Sequence, residues 1–135
     1  MSRPTFDDYF MGLAQAAARR GDCTRSQVGA VLVRANRSTC GTGYNGVMPG
    51  KPGCLEGACP RGQLSYEECP PYAPYDSGTG ECIATHAEMN ALLFLPDTEQ
   101  AVTCYVTRQP CRDCHFALML HGVQRIVWPE GEWNA

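Results

Sequence analysis

Apolar residues recur every three or four positions at the start of the chain, at Phe6, Phe10, Leu13, Ala14 and Ala17. This spacing predicts an amphipathic helix that runs to Arg20 and stops at Gly21. Thr5 stands where an N-cap belongs, and Asp7 and Asp8 place acid in the first turn. Val28-Gly29-Ala30-Val31-Leu32-Val33 then reads as a buried strand. Asn36-Arg37 supplies a turn, and Ser38 to Tyr44 can return as its antiparallel partner. From Met48 to about Glu81 the patterning fails among Pro, Gly, Cys and Tyr, and an irregular stretch of that length in a compact domain needs a physical reason. Regularity resumes with a helix from near Thr85 through Leu95, ended by Pro96. A strand follows over Ala101 to Thr107, then a helix over Cys111 to His121 between Pro110 and Gly122, and a last strand over Gln124 to Trp128. The order αββαβαβ predicts an α/β fold, a sheet flanked by helices, with little room for a fifth strand or a final helix.

Composition narrows the class. The 135 residues are 44% hydrophobic and 19% charged, which suits one globular domain over 1–135 with residues 48–82 as an insert. No apolar run approaches the roughly 18–20 residues that cross a bilayer. Acidic Asp7 and Asp8 come early where a signal peptide would be basic and then apolar, so a cytoplasmic location is expected. A net charge of −3 argues against binding bulk nucleic acid. Nine cysteines is an odd number and a large one. In a reducing compartment clustered cysteines point to metal more than to disulfides.

Two short motifs carry the chemistry. Thr85-His86-Ala87-Glu88 contains H-x-E, and Pro110-Cys111-Arg112-Asp113-Cys114 is P-C-x-x-C. In this order, with a strand leading into the second, they form the pattern of zinc-dependent nucleobase deaminases. His86, Cys111 and Cys114 would hold zinc with its fourth position open to water, and Glu88 would move that water's protons. Cys111 and Cys114 are three apart at a helix start, so their sulfurs share a face. His86 and Glu88 are two apart and share no helical face. They can converge only if the site lies end-on to the start of their helix. Two plainer readings compete: Thr85-x-x-Glu88 also matches a capping box, and Cys111 with Cys114 also suits a structural zinc or a redox pair.

The chain resembles the deoxycytidylate (dCMP) deaminases over about residues 6 to 128. The resemblance lies in Ser26-Gln27-Val28-Gly29-Ala30, Gly43-Tyr44-Asn45-Gly46, Ala84 to Leu92, and Tyr105-Val106-Thr107-x-x-Pro110-Cys111-x-x-Cys114. It implies the cytidine-deaminase-like three-layer fold with a central mixed sheet, and hydrolysis of dCMP to dUMP. It also implies that Asn45 bonds the sugar, that Ala87 presents its N–H to the base, and that the Thr107 to Gln109 turn offers a carbonyl to the amine. Arg25 is the candidate for the phosphate, by its forked donors, or else a solvated surface arginine. Trp133 stacks on the base or simply covers apolar surface.

The resemblance further implies that Cys23, Cys54, Cys59 and Cys82 hold a second, structural zinc, a set in which Cys69 could replace one member. Cys40 and Cys104 read as small core residues, and His115 and His121 as packing or surface residues. Many members of the family form hexamers activated by dCTP and inhibited by dTTP, so a homo-oligomer with these effectors is implied. The loop from Gln63 to Gly80 reads as a lid, an oligomer contact or an effector site. Other substrates compatible with the motifs are a 5-modified deoxycytidylate and a free nucleoside or base. A non-catalytic zinc scaffold is the alternative of another class.

Overall fold

The computed structural model describes residues 2–47, 49–70, 82–96 and 98–135. Helix α1 (Phe6–Ala18) is followed by the hairpin β1 (Gly29–Val33) and β2 (Thr39–Tyr44). After the insert come α2 (Ala87–Leu93), β3 (Thr103–Val106), α3 (Arg112–Leu120), β4 (Arg125–Trp128) and β5 (Gly131–Asn134). The sheet order is β2-β1-β3-β4-β5. Only β3 and β4 run parallel, joined across α3; every other neighbouring pair is antiparallel.

The fifth strand corrects the expectation of a tail too short to form one. Pro129 and Glu130 make a tight turn after Trp128, and Gly131 to Asn134 fold straight back along β4, with Ile126 opposite Trp133. Pro in the turn and Gly at its exit are the residues such a reversal favours. Four residues suffice for a strand that only has to pair with one neighbour.

Helices cover both faces of the sheet, giving three layers. All five residues of β1 are buried, and they alternate between two cores, as strand geometry requires. Val31 and Val33 meet Phe10, Ala14 and Tyr105 beneath α1. Ala30 and Leu32 meet Ala87, Ala91, Cys104, Val106, Leu118 and Ile126 beneath α2 and α3. Cys104 is thus the core residue expected, and burial pushes its thiol well up. At Gly43 on β2 an added Cβ would lie 2.5 Å from Ala91 N, so α2 sits on the sheet at a distance only glycine permits.

The N-cap at α1 is real: Thr5 accepts a hydrogen bond from Asp8 N–H at 3.1 Å. Asp7 does more than complement the helix. Its carboxylate takes a bidentate pair from Arg125 on β4 at 2.9 and 2.8 Å, and the Tyr105 hydroxyl of β3 at 2.6 Å. Arg125 also donates to Glu132 on β5 at 2.6 Å, so one polar chain ties α1 to three strands. Among the described residues no helix is long and apolar enough to cross a membrane.

Candidate active site

The first half of the site is built where the end of β2 meets the start of α2. Gly46 and Thr85 exchange both main-chain hydrogen bonds, at 3.0 and 2.8 Å. Because Thr85 is held in this extended bridge, the helix begins later than Thr85: His86 is the N-cap, in extended conformation, and Ala87 is the first helical residue. No side-chain bond caps the helix, so the capping-box reading of Thr85 and Glu88 does not hold. The geometric demand on His86 and Glu88 is met instead. One precedes the helix and the other lies in its first turn, and both line a single cavity at the helix mouth.

The second half repeats the device. Cys111 is the extended N-cap of α3 and Cys114 lies in its first turn. The Thr107 to Pro110 turn aims them. Thr107 N–H donates to Gly29 O at 3.0 Å, and Thr107 Oγ1 accepts from Gly29 N–H at 3.1 Å, which pins the turn to β1.

The two halves converge. His86 Nδ1 lies 3.3 Å from Cys111 Sγ and 3.3 Å from Cys114 Sγ. Tetrahedral zinc, with bonds of about 2.0–2.1 Å to nitrogen and about 2.3 Å to sulfur, places such atoms roughly 3.5 Å apart. The donors therefore fit that ion in both type and spacing. Their electrostatics agree. Burial holds the His86 imidazole below its usual range, which keeps it neutral, the metal-binding form. Burial and the neighbouring acidic groups, Glu88 first among them, push the Cys114 thiol far up, a penalty that a divalent cation reverses.

Glu88 is 3% exposed. Burial pushes its carboxyl up to about 7, against the opposing hydrogen bonds of its own N–H and of Cys114 and the charge of Arg108. A carboxyl poised there, beside a metal-binding triad, can both accept and return a proton near neutral pH. Val28, Ala87, Arg108 and Gln109 complete the cavity wall.

The remaining expected residues divide. Asn45 is buried and adjacent, but its amide first serves the backbone: Oδ1 accepts from Val28 N–H at 2.9 Å and Nδ2 donates to Ser26 O at 2.8 Å. Arg25 is bonded to the insert. Its guanidinium nitrogens donate to the carbonyls of Gly62, Leu64, Ser65 and Cys69, and it lies over the Tyr66 ring at 5.5 Å. It clamps the insert, a job that several inward carbonyls give to the nearest arginine. Trp133 packs edge-on to His115 at 4.9 Å and against the α2–α3 core. It is not among the described residues lining the catalytic cavity.

Cys23, Cys54, Cys59 and Cys82 line one common cavity beside Arg25, Arg61 and Arg108. Main-chain N–H groups of Arg25, Thr24 and Gly62 donate to the sulfurs of Cys23, Cys54 and Cys59 at 3.3, 3.3 and 3.4 Å. Among the described residues, though, the group whose ligand atoms all fall within 4.8 Å of one another is His86, Cys111 and Cys114. Cys69 is buried outside that cavity lining. Of the Gln63 to Gly80 loop, residues 71–80 lie outside the described residues. Arg108 is the neighbour that sequence reasoning missed. It falls at an unassigned position of T-x-x-P-C, where spacing shows proximity but not which way a long side chain turns.

A neutral imidazole, two thiols and a buried carboxyl, gathered at two helix mouths above a mixed sheet, define a metal-dependent hydrolytic centre of the nucleobase-deaminase class. Comparison with known proteins agrees. Residues 4–130 match the family described as "Cytidine and deoxycytidylate deaminase zinc-binding region", and the chain belongs to that family. The deoxycytidylate deaminase of Mycobacterium phage D29 is 48% identical over 132 residues, spanning 96% of this chain and 98% of the relative. That of Schizosaccharomyces pombe is 36% identical over 128 residues, 93% of this chain but 37% of a longer relative. The dCMP deaminase of cyanophage S-TIM5, solved with dCMP and dUMP, shares the fold with a TM-score of 0.66 at 22% identity, covering 95% of this chain and 83% of that one. Cytidine deaminase of Mycobacterium tuberculosis shares it with a TM-score of 0.58 at 18% identity, covering 94% and 88%.

Proposed function

We propose that this protein hydrolyses dCMP to dUMP and ammonia. The observation that carries the reading is Glu88, buried in the same cavity as His86 and Cys111 and hydrogen-bonded to Cys114. Likeness to the phage D29 deoxycytidylate deaminase over nearly the full length of both chains supports the choice of nucleotide. His86, Cys111 and Cys114 hold zinc, which supplies a Lewis acid that makes water acidic enough to act as a nucleophile near neutral pH.

The rest is the work of the chain. Glu88 takes a proton from the attacking water and delivers it to the pyrimidine ring nitrogen. As the carbon–nitrogen bond breaks it takes the remaining proton from the added hydroxyl, which becomes the product carbonyl, and passes it to the departing amine, so that water and dCMP yield dUMP and ammonia. Ala87, whose main-chain N–H belongs to the first turn of α2, orients the base. The carbonyls of the Thr107 to Gln109 turn accept from the amine and tell it from a carbonyl oxygen. Asn45 keeps a second Nδ2 hydrogen beyond the one given to Ser26, and that hydrogen meets the sugar.

Cys23, Cys54, Cys59 and Cys82 hold a second, structural zinc that stiffens the insert. Their shared cavity and the N–H groups aimed at three of the sulfurs support this, because such bonds stabilise thiolates. The protein works in the cytoplasm as a homo-oligomer, by family resemblance a hexamer, with dCTP and dTTP as effectors. Exposed Leu93, Phe94, Phe116, Met119 and Leu120 on α2 and α3 and at their ends supply apolar surface for such contacts.

Ammonia release from dCMP, CMP, deoxycytidine and cytidine, with and without dCTP, tests the substrate. Preference for dCMP supports the reading. Turnover of none of the four refutes it in favour of a modified nucleotide or a zinc scaffold.

A further inference from the structure

Helix α2 has seven residues, too few to hold a helix by its own hydrogen bonds, and no side-chain bond caps its start. Contacts outside the helix must therefore fix where it begins. The bridge between Gly46 and Thr85 is one such hold. Asn90 is a second. Asparagine is a poor residue for a helix interior, where alanine does better. Nor is Asn90 among the described residues lining the catalytic cavity. Its place in so short a helix calls for a reason other than helix formation or substrate contact.

Its hydrogen bonds supply one. The main-chain N–H of Asn90 closes the first turn on His86 O at 3.0 Å. Its side-chain Nδ2 donates to Tyr44 O at 2.8 Å and, more weakly, to Thr85 O at 3.4 Å. Tyr44 stands opposite Gly29, whose own N–H and carbonyl are both turned to Thr107 on the far side of β1. The Tyr44 carbonyl therefore faces off the open edge of the sheet, outside the ladder, where a side chain can reach it. Thr85 O belongs to the peptide unit whose nitrogen is that of His86, and it also accepts from Gly46 N–H at 3.0 Å. One amide nitrogen with two hydrogens thus ties the end of β2, and the peptide just before His86, to the body of α2.

We propose that Asn90 is a positioning residue: by holding the Tyr44 and Thr85 carbonyls to α2 it fixes the Thr85–His86 peptide and, through it, the aim of His86 toward Cys111 and Cys114. This inference rests on those three residues as the metal site and on dCMP as the substrate. The residue type follows from the two bonds, which need both hydrogens of one nitrogen. An aspartate of the same shape would set an acceptor against two carbonyl oxygens. Alanine would remove the tie, favour the helix and leave the exposed Tyr44 carbonyl to water.

The test compares wild type, Asn90→Ala and Asn90→Asp as zinc-loaded enzymes. Thr5→Ala is the control, since it removes only the cap of α1. Melting temperature, kcat and KM for dCMP are measured, together with the rate at which zinc passes to a chelator. The release phase missing from His86→Ala belongs to this site. Asn90→Ala should lower kcat by about tenfold with KM within about twofold, and should speed that phase by about tenfold, the scale on which groups behind a metal's ligands act. Asn90→Asp should lose about 100-fold in kcat, as a misplacement of about 1 Å does. Thr5→Ala should lower the melting temperature and move neither rate. If kcat and zinc release both stay within about twofold of wild type in the two Asn90 variants, whatever happens to the melting temperature, the proposal is overturned. A rise in KM alone overturns it too, since Asn90 would then be a substrate contact. Wild type that does not turn over dCMP overturns the substrate reading instead, and zinc release then decides the role of Asn90.

Discussion

Gly43→Ala tests whether the sheet sets the position of the catalytic groups. A Cβ at residue 43 would stand 2.5 Å from Ala91 N and 3.1 Å from Ala91 Cα, and closer still to the carbonyl of Ala87. Ordinary Cβ contacts begin near 3.4 Å, so α2 must retreat from β2 by about 1 Å. The obstacle is backbone on both sides and no rotamer relieves it. Overpacking of this kind costs about 1–3 kcal/mol. The clash falls on the first turn of α2, which holds Glu88 and follows His86, and a misplacement of about 1 Å at reacting groups costs on the order of 100-fold in rate. Gly12→Ala is the matched control: it lies in α1 with nothing within 4 Å of the new methyl. Alanine there should add about 0.5–1 kcal/mol. Urea unfolding and dCMP kinetics on the two variants suffice. Gly43→Ala with wild-type stability and full kcat/KM refutes the reasoning.

Acid titration of stability probes the polar chain between α1 and the sheet. Arg125, and then the Tyr105 hydroxyl, hold the Asp7 carboxyl below its ordinary 3.8. A depressed pKa contributes stability that is fully present above the unfolded value and is lost as pH falls through the folded one. Asp7→Asn should therefore be less stable than wild type at pH 7, with the difference closing as pH drops below about 4. A difference that persists at low pH would mean the ion pair is not its source. For the insert, Cys54→Ser should lower bound zinc from about two per chain to about one and lower the melting temperature. Unchanged zinc content would remove Cys54 from the ligand set.

Much of the site was legible in the chain because its residues are local. His86 and Glu88 share one helix start and Cys111 and Cys114 another; spacing alone puts the two sulfurs on one face and requires the His–Glu pair to meet end-on at its helix start. What joins the pairs is the parallel arrangement of β3 and β4 beside β1, and short apolar runs between turn residues announced those strands. What the chain did not show has long-range causes. Thr85 looks like a cap until Gly46, far away in sequence, draws it into a bridge. Arg25 gives no local sign that the carbonyls of 62 to 69 fold over it. Trp133 gives no sign of its partner His115 unless the turn at Pro129 is seen to return the chain. Arg108 was hidden for a simpler reason: the motif marks where its backbone goes, and nothing local says that its side chain borders two cavities.

The central claim is that Glu88 moves protons for a metal held by His86, Cys111 and Cys114. Glu88→Gln keeps the size and shape of the side chain and removes its ability to take up a proton. Ammonia release from dCMP should fall by about a thousandfold or more, with zinc per chain unchanged from wild type. A variant that loses its zinc, or one that keeps both zinc and rate, contradicts the account.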